Sequence, residues 1–342
     1  MDTLRVGLIG YGASGRGQHA RMLRALGQRV TCVVTAEHGA AVREDWPRAR
    51  VVPDVASMLA TAASLDLVVV ASPTTKHAEH TAQVLSAGVP AVVDKPLATT
   101  EHAATDLVRL ATQHGGRLTV FLDRRWDPEQ LTLAGLLERG ELGRVHRFER
   151  RWERFRPVPL HRWKELDPAA GGLLQDLGSH LVDSAMQLFG PVTSVYAELR
   201  TLTTPALDDV FLALTHAAPA DGPAVISHLQ AGGLVGAPGP RTRVLGDKAA
   251  YLVTEFEEEP TPFEVLDHRR GTPAHQGWLV RGSERVPVPS APGDHLDLYR
   301  AIIRWVTDGG RPPVDPRDSI RVARVLDAAR VSAKEGRAVH LT

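Results

Sequence analysis

Cysteine is nearly absent from this sequence, which has one thiol, Cys32, in 342 residues. A single cysteine cannot close an internal disulfide, and its place in an apolar run favours a buried thiol in a reducing cytoplasm. An excess of charge of either sign is also absent, because 40 basic side chains balance 40 acidic ones. This balance gives no indication of nucleic acid or of an anionic membrane surface as a partner.

Long apolar runs are missing as well. The longest stretch, Leu65–Ser72, is far too short to cross a bilayer. The first ten residues, MDTLRVGLIG, lack the order of basic, apolar and small residues that marks a secretory signal. We therefore expect a cytoplasmic protein. Its length exceeds the usual size of one compact domain and predicts two.

The first part of the chain alternates short β-branched runs with helical patterns. Strands that alternate with helices imply right-handed crossovers and a parallel sheet covered on both faces. We predict an α/β fold, a doubly wound Rossmann sheet that binds a dinucleotide, over residues 1–122. The predicted strands are Arg5–Ile9, Val30–Val34, Val51–Val52, Leu67–Ala71, Ala91–Val93 and Leu118–Phe121.

The pattern changes from about residue 123, and Arg147–Arg156 is basic and aromatic. A helical pattern over Asp176–Phe189 precedes runs of alternating apolar and polar residues separated by long polar loops. This order predicts an α+β second domain, residues 123–342, with a large, mostly antiparallel open sheet. Its predicted strands are Val195–Leu202, Val210–His216, Ala224–Gln230, Arg243–Leu245 and Tyr251–Thr254, before helices at about His295–Thr307 and Ser319–Ala333.

A glycine-rich loop directly follows the first predicted strand. Gly10, Gly12 and Gly15 have the spacing G-x-G-x-x-G and open a predicted helix, which is the context that a dinucleotide-binding turn requires. In such a turn the first glycine permits the tight bend, the second lets the backbone approach a pyrophosphate, and the third lets helix and strand pack closely. The helix N-terminus then offers N–H groups and a positive dipole end to the phosphates.

The end of the second predicted strand bears on the choice between NAD and NADP. An acidic residue there would bond the ribose hydroxyls of NAD, whereas an arginine would suit the 2′-phosphate of NADP. Glu37 could take the first role, or it could be a solvated acid of the loop. The sequence favours NAD and leaves NADP open.

Lys95 follows the fifth predicted strand, in the run AVVDKPL. In an open α/β sheet, ligands collect beyond the carboxyl ends of the strands. Pro96 restricts Lys95 to extended conformations and admits a cis peptide bond. An ammonium group here can bond a reacting hydroxyl and stabilise a developing alkoxide. By itself, a lysine at a strand end is usually a solvated charge.

Asp176 and His180 lie four residues apart in GGLLQDLGSHLVD, so they project from one side of a helix. Histidine titrates near neutral pH, which suits His180 to accept a proton. Asp176 could orient the imidazole or bond the substrate. Alone, the pair could be a helix cap and a packed ring. Together with the glycine loop and Lys95, it indicates a dehydrogenase.

One known family shares a whole series of motifs with this sequence. They are GYGASG (10–15), ASPTTKHAEHTAQVLSAG (71–88), VVDKPLA (92–98), DRRWDP (123–128), GGLLQDLGSHLVD (171–183), LYRAIIRWVTDGGRPPV (298–314) and ARVSAKEGRAVHL (329–341). By these motifs the chain resembles the glucose–fructose oxidoreductase, inositol dehydrogenase and MocA (Gfo/Idh/MocA) family over nearly its full length. It looks most like the scyllo-inositol dehydrogenase-like branch, several of whose members use NADP.

The resemblance implies that Lys95 and His180 are the catalytic pair, with Asp176 as their partner. It implies that these three residues bind the substrate, and that Arg125 and Trp163 border the nicotinamide or substrate pocket. It also implies that the protein assembles into homodimers or homotetramers through the outer face of the second-domain sheet. The residues expected to bind the cofactor are Gly10, Tyr11, Gly12, Ala13, Ser14, Gly15, Glu37, Ser72, Pro73, Thr74, Asp94, Lys95 and Pro96.

The sequence departs from the family pattern in three respects. Asp94 replaces the usual glutamate before the lysine, and Asp123 stands where a neutral asparagine is common, which adds a negative charge near the expected pocket. NADP-using relatives tend to carry Ser-Arg where this chain has Ala36 and Glu37. The last departure removes the expected partner of the 2′-phosphate and strengthens the preference for NAD.

The expected reaction is the reversible oxidation of a secondary alcohol on a sugar or an inositol-like polyol. His180 would remove the hydroxyl proton and Lys95 would stabilise the oxygen, while the cofactor supplies the redox chemistry and no metal takes part. Two alternatives remain on the same fold. One is a non-redox enzyme that cleaves a glycosidic bond through transient oxidation. The other is a non-catalytic regulator that binds a dinucleotide and a partner protein.

Overall fold

Two sheets organise the part of the chain that the structure, a computed structural model, describes: residues 3–220, 222–254 and 277–341. Within these ranges, residues 3–123 and 294–320 form a first unit, and residues 124–254, 277–293 and 321–341 form a second. No helix in the described ranges is long and apolar enough to span a membrane.

The sheet of the first unit has six strands in the order β3-β2-β1-β4-β5-β6. Every neighbouring pair is parallel, which confirms the predicted doubly wound fold. Two strands, β4 in the interior of the sheet and β6 at its edge, are buried along their whole length, as expected of strands covered on both faces. The strands are β1 (Arg5–Ile9), β2 (Arg29–Val34), β3 (Arg50–Val52), β4 (Leu67–Val70), β5 (Ala91–Asp94) and β6 (Leu118–Phe121).

Helices of the first unit follow most of these strands. The glycine loop leads into a π-helical turn, Gly15–Ala20, that continues as helix α1. The sequence patterns did not predict the second helix, which buries Val42 alone and so lacks an apolar stripe. The helices are α1 (Arg21–Ala25), α2 (Gly39–Asp45), α3 (Val55–Leu59), α4 (His77–Ser86), α5 (Glu101–Gln113) and, after the strands of the second unit in sequence, α9 (His295–Asp308).

The sheet of the second unit has nine strands in the order β14-β13-β12-β11-β7-β10-β9-β8-β15. All neighbouring pairs are antiparallel except β10 and β7, which confirms the predicted mostly antiparallel sheet. The strands are β7 (Val145–Glu153), β8 (Val192–Arg200), β9 (Asp209–His216), β10 (Ile226–Gly232), β11 (Thr242–Gly246), β12 (Ala250–Val253), β13 (Trp278–Arg281), β14 (Glu284–Pro287) and β15 (Val339–His340).

One face of this second sheet forms the core of its unit. Burial alternates strictly along β9, so every second side chain faces inward, among them Leu212 and Leu214. Leu181 and Val182 join the same buried cluster from a helix that carries one of the candidate catalytic residues. The helices are α6 (Pro128–Glu138), α7 (Trp163–Leu166), α8 (Ser179–Phe189) and α10 (Pro316–Glu335), of which residues 321–335 belong to this unit.

Candidate active site

The glycine loop of the first unit is built as its spacing predicts. Gly10 has φ +94°, and a Cβ there would lie 2.4 Å from the Ala71 carbonyl oxygen. A Cβ on Gly15 would lie 2.2 Å from the carbonyl oxygen of Gly10. Apart from Gly12 and its neighbours in sequence, no heavy atom of the described chain lies within 4 Å of a Cβ built on Gly12. The first and third glycines therefore permit close packing, and the second leaves the backbone open to a ligand.

This loop fits the pyrophosphate of a dinucleotide. The turn ends at the start of a helical segment, whose first N–H groups lack intrahelical partners and favour an anion. Ala13 is exposed, and Gly12 and Ser14 are partly exposed, so the backbone is accessible where phosphates would bind. Tyr11 is buried, and its hydroxyl donates to the Asp45 carboxylate at 2.8 Å. This hydrogen bond holds the buried side chain of the loop residue Tyr11 in place.

Glu37 lies three residues after β2, at the carboxyl end of the first unit's sheet. Its side chain and its neighbours Ala36 and His38 are exposed. An exposed carboxylate at this end of the second strand is available to a ribose hydroxyl. Its role in cofactor choice remains a prediction.

His77 joins two of the predicted cofactor segments. Its buried ring places Nδ1 2.7 Å from the carbonyl oxygen of Pro96 and Nε2 2.8 Å from that of Ser72. The segment after β4, which includes Pro73 and Thr74, is therefore tied to the lysine motif after β5. The two loops share one edge of the parallel sheet.

Lys95 sits directly beside the glycine loop. The Ser14 hydroxyl donates to Asp94 Oδ2 at 2.5 Å, and the Lys95 N–H donates to Asp94 Oδ1 at 2.7 Å. The Lys95–Pro96 peptide bond is cis, and the Lys95 side chain is partly exposed. Burial by itself raises the pKa of Asp94, but His19, Lys95 and His77 outweigh it and hold that pKa well below its usual range. The ionised Asp94 thus links the candidate catalytic lysine to the candidate phosphate loop.

Asp176 and His180 lie where a π-helical turn, Leu174–Gly178, passes into α8. Turns of this kind are rare and often occur at functional sites. The Asp176 carboxylate accepts a hydrogen bond from Lys164, and the Ser179 hydroxyl donates to the carbonyl oxygen of Gln175 at 2.7 Å. Asp176 remains partly exposed, whereas the His180 ring is buried.

The His180 ring packs against an arginine-rich cluster. Its centroid lies 6.1 Å from that of Trp152 on β7. The guanidinium carbons of Arg124 and Arg241 lie 4.8 and 5.2 Å from the Trp152 ring centroid, in cation–π geometry. The imidazole, the indole and both guanidinium groups line one common cavity.

A depression in the second unit exposes Asp176 to solvent. The basic residues that line it are Arg154, Arg156, Arg162 and Lys164. Burial, followed by the like charge of Arg156, lowers the pKa of Arg154 to about 9. A concave surface lined by charged donors can orient a polyhydroxy compound by hydrogen bonds.

Three other predicted positions have defined surroundings. Arg125 donates twice to Asp183 on α8, at 2.9 and 2.6 Å, so its guanidinium group is oriented one turn after His180. Trp163 is 46% exposed and is not among the described residues that line the depression. Asp123 is buried, with Oδ2 3.4 Å from His295 Nδ1. Its extra negative charge therefore faces a histidine of its own unit.

Sequence reasoning missed several residues that hold these groups in place. His19, His77 and Trp152 are buried, and a buried aromatic ring is usually part of the packing. Asp183 is the last residue of the GGLLQDLGSHLVD motif, and its spacing from His180 was the available signal for a second carboxylate on that face. The described residues contain no cluster of histidine, cysteine and carboxylate side chains suited to a metal ion.

Known proteins can be aligned with this chain over its whole length. A model described as an oxidoreductase family, NAD-binding Rossmann fold, matches residues 4–122. A second, described as an oxidoreductase family, C-terminal alpha/beta domain, matches residues 134–341. The scyllo-inositol 2-dehydrogenase (NADP(+)) of Bacillus subtilis is 31% identical and aligns with 100% of this chain and 97% of its own. D-apiose dehydrogenase of Paraburkholderia graminis is 28% identical, over 91% of this chain and 82% of its own.

Solved structures share the fold over the same length. An oxidoreductase of Bacillus subtilis, yvaA, has a TM-score of 0.87 and 29% identity, and the alignment covers 100% of both chains. A protein of gentamicin A biosynthesis, solved in complex with NAD, has a TM-score of 0.78 and 25% identity, over 100% of this chain and 97% of that one.

Proposed function

Because the chain belongs to the Gfo/Idh/MocA family of oxidoreductases, we propose that it oxidises a secondary alcohol of a sugar or inositol-like polyol, reversibly, with a nicotinamide cofactor. The observation that carries this proposal is the position of Lys95. The Lys95 N–H and the Ser14 hydroxyl of the glycine loop both donate hydrogen bonds to the Asp94 carboxylate. The backbone of a candidate catalytic lysine and a candidate phosphate site are thus held by one carboxylate within the first unit.

Three side chains take part in the proposed reaction, and each has one role. Lys95 hydrogen-bonds the substrate oxygen and stabilises the negative charge that develops on it. His180 accepts the hydroxyl proton, and the packed Trp152 ring holds the imidazole in place for that transfer. Asp176, at the rim of the basic depression, binds a neighbouring hydroxyl. When bound, the nicotinamide supplies the hydride acceptor.

NAD is the proposed cofactor. Support comes from Glu37, whose exposed carboxylate follows β2 and would repel a 2′-phosphate. The scyllo-inositol dehydrogenase relative is named for NADP, and the gentamicin relative was solved with NAD, so relatives of both kinds exist. We propose inositols as the first class of substrate to test, because the Bacillus subtilis relative is a scyllo-inositol 2-dehydrogenase. Aldoses are the second class, because another relative is a D-apiose dehydrogenase.

A substrate screen tests the proposal. Inositols, aldoses and their keto forms are incubated with NAD and NADP separately, and the absorbance of the reduced nicotinamide is followed. We expect net reduction of NAD with at least one polyol or aldose. A glycoside-cleaving enzyme would release sugar without net reduction, and a regulator would bind dinucleotide without turnover. Either result would reject the proposal.

Matched variants test the two catalytic roles. Lys95→Ala and His180→Ala should each bind nicotinamide at near wild-type affinity and lose about 10²–10⁴-fold in kcat. Lys334→Ala and His146→Ala remove the same groups from exposed positions and should leave kcat unchanged. Wild-type rates in Lys95→Ala or His180→Ala would contradict the assigned role.

A further inference from the structure

Two buried polar side chains of the first unit have no part in the proposed reaction. His19 lies in the π-helical turn after the glycine loop, and Tyr299 lies on α9; both are fully buried. His19 Nδ1 is 2.6 Å from the Tyr299 hydroxyl oxygen. The Phe121 ring packs against both, with its centroid 4.4 Å from that of His19. The position of each ring is therefore closely defined.

The direction of their hydrogen bond follows from the charge that faces the other side of the imidazole. Burial, together with the negative charge of Asp94, raises the pKa of Tyr299 well above its usual value, so the hydroxyl keeps its proton. A bare Nε2 lone pair facing the Asp94 carboxylate at 3.8 Å would be repelled, so the imidazole carries its proton on Nε2 and Nδ1 accepts from the Tyr299 hydroxyl. Nε2 makes no hydrogen bond to any described residue and lies 3.8 Å from Asp94 Oδ2. The N–H dipole of His19 thus faces the Asp94 carboxylate.

Asp94 transmits this interaction to the lysine motif. Its two carboxylate oxygens accept hydrogen bonds from Ser14 and from the Lys95 N–H, while His19 faces it from the side of the π-helical turn. A continuous series of polar contacts therefore runs from Tyr299 on α9 to the Lys95 backbone. The candidate catalytic lysine is at its end.

We propose that His19 and Tyr299 are positioning residues for Lys95, which act by fixing the Asp94 carboxylate; the assignment rests on the proposed role of Lys95 in hydride transfer. The pair orients Asp94, and Asp94 in turn fixes the Lys95 backbone and the Ser14 hydroxyl. Loss of the Tyr299 hydroxyl frees the His19 tautomer, so the imidazole can turn a bare nitrogen towards the carboxylate.

A purely packing role does not account for the polar atoms. Phenylalanine or leucine would fill the space beside Phe121, and a buried hydroxyl or imidazole is unfavourable unless it is hydrogen-bonded. Here the tyrosine satisfies the histidine, and the histidine in turn directs its free N–H to a functional carboxylate. Second-layer contacts of this kind determine how well a catalytic group is placed.

The chain's lysine content permits a direct test of this connection. The sequence has only five lysines, Lys76, Lys95, Lys164, Lys248 and Lys334. Protein labelled with ¹⁵N-lysine therefore gives five backbone amide signals, and Lys95→Arg assigns the signal of Lys95. We expect Tyr299→Phe and His19→Phe to shift the Lys95 amide signal, because its acceptor, Asp94, moves. An unshifted Lys95 signal in folded Tyr299→Phe would overturn the proposal.

Turnover supplies a second measurement. Tyr299→Phe should lower kcat between about ten- and a hundredfold, with little change in KM, because the lysine is displaced rather than removed. Asp94→Asn should lower kcat similarly, and Asp94→Glu, which keeps the charge, should retain more activity. Thr119→Val removes another buried hydroxyl of this unit, bonded to the Val314 carbonyl oxygen at 2.9 Å. It should shift neither kcat nor the Lys95 signal.

The two proposals fail in different ways. If Lys95→Ala keeps wild-type turnover, the proposed catalytic role is wrong, whatever the amide signals show. If Lys95→Ala is inactive while Tyr299→Phe has wild-type kcat and an unmoved Lys95 signal, only the positioning role is wrong.

Discussion

Carboxylates fix the neighbours of the candidate catalytic groups in both units. Asp94 accepts hydrogen bonds from Ser14 and from the Lys95 N–H. Asp183 accepts two hydrogen bonds from the Arg125 guanidinium group. Such bonds to an ionised group are shorter and stronger than bonds between neutral groups. Within each unit these groups are therefore oriented by contacts of the chain itself, and orientation before binding is the condition for electrostatic stabilisation of a transition state.

The exchange of one acid tests cofactor choice at this scale. Glu37→Arg should reverse the preference of the protein from NAD towards NADP, because repulsion of the 2′-phosphate becomes attraction. We expect the ratio of the two dissociation constants to change by at least about tenfold, or about 1.4 kcal/mol. Fluorescence titration with NADH and NADPH measures both constants without a substrate. Glu37→Gln, which only removes the charge, should lie between the wild type and Glu37→Arg.

Equal affinities for NADH and NADPH in all three proteins would show that Glu37 is a solvated acid of the loop. This is the alternative that the sequence left open. It would leave the roles assigned to the glycine loop and the lysine motif unaffected, because those roles rest on the glycine contacts and on Asp94 rather than on Glu37.

The sequence predicted the motif residues of the site but not the side chains that support them. Gly10 and Gly15 are recognisable because only glycine tolerates such close backbone contact, and that demand leaves a fixed spacing. His19 and Trp152 carry no such spacing. Their partners are distant in sequence, Tyr299 for the first and Arg241 for the second, so no local pattern distinguishes them from packing.

At the scale of elements, a buried ionic network connects α6 to the second sheet. Glu129 on α6 accepts hydrogen bonds from Arg241 Nε at 2.6 Å and from Arg150 Nη2 at 3.2 Å. The Thr242 hydroxyl also donates to it. Burial by itself raises the pKa of Glu129, but the charges of Arg241 and Arg150 outweigh it and hold the pKa at about 2.

Removing this one charge should destabilise the fold. In Glu129→Gln, the two buried guanidinium groups lose the carboxylate that they share. We expect a loss of about 3–5 kcal/mol in the free energy of unfolding at pH 7. Glu138→Gln on the exposed side of α6 is the control and should be within about 0.5 kcal/mol of the wild type. Urea denaturation followed by circular dichroism measures both.

The same variant has a defined pH dependence. The folded pKa of Glu129 lies below its ordinary value of 4.5, so its stabilisation is complete above about pH 4.5 and is lost as the pH falls towards 2. The stability difference between wild type and Glu129→Gln should therefore be constant from pH 7 to 5 and shrink below that. A difference that grows on acidification would contradict the network described.

Strands buried on both faces were predictable because their apolar runs are continuous, as in β4 and β6. β7 was not predicted, because ion pairs bury its charged residues Glu149 and Arg150, and the sequence there resembles a solvated segment. α6 was also missed, since buried Glu129 and Gln130 interrupt its apolar stripe. An analysis of hydrophobic periodicity counts every charged residue as exposed, so it cannot detect charges that are buried by ion pairs with residues distant in sequence.

At the scale of the whole chain, the motifs identified the family, and the family models confirm it over both parts. The alternation of strands and helices predicted the first sheet, and the alternation of apolar and polar residues predicted the second. The substrate is less accessible to such reasoning, because its recognition depends on the basic depression. That depression combines the segment after β7 with residues near 203–208 and 232–233, and no sequence pattern connects them.

The transfer of deuterium from substrate carbon to the cofactor tests the account most directly. A panel of polyols and aldoses deuterated at their secondary alcohol carbons is incubated with NAD and the wild-type protein or Lys95→Ala. Mass spectrometry of the reduced nicotinamide then gives the result. We predict reduced cofactor one mass unit heavier with the wild type, and none above background with Lys95→Ala. Unlabelled cofactor with the wild type, or equal labelling by Lys95→Ala, would contradict hydride transfer assisted by this lysine.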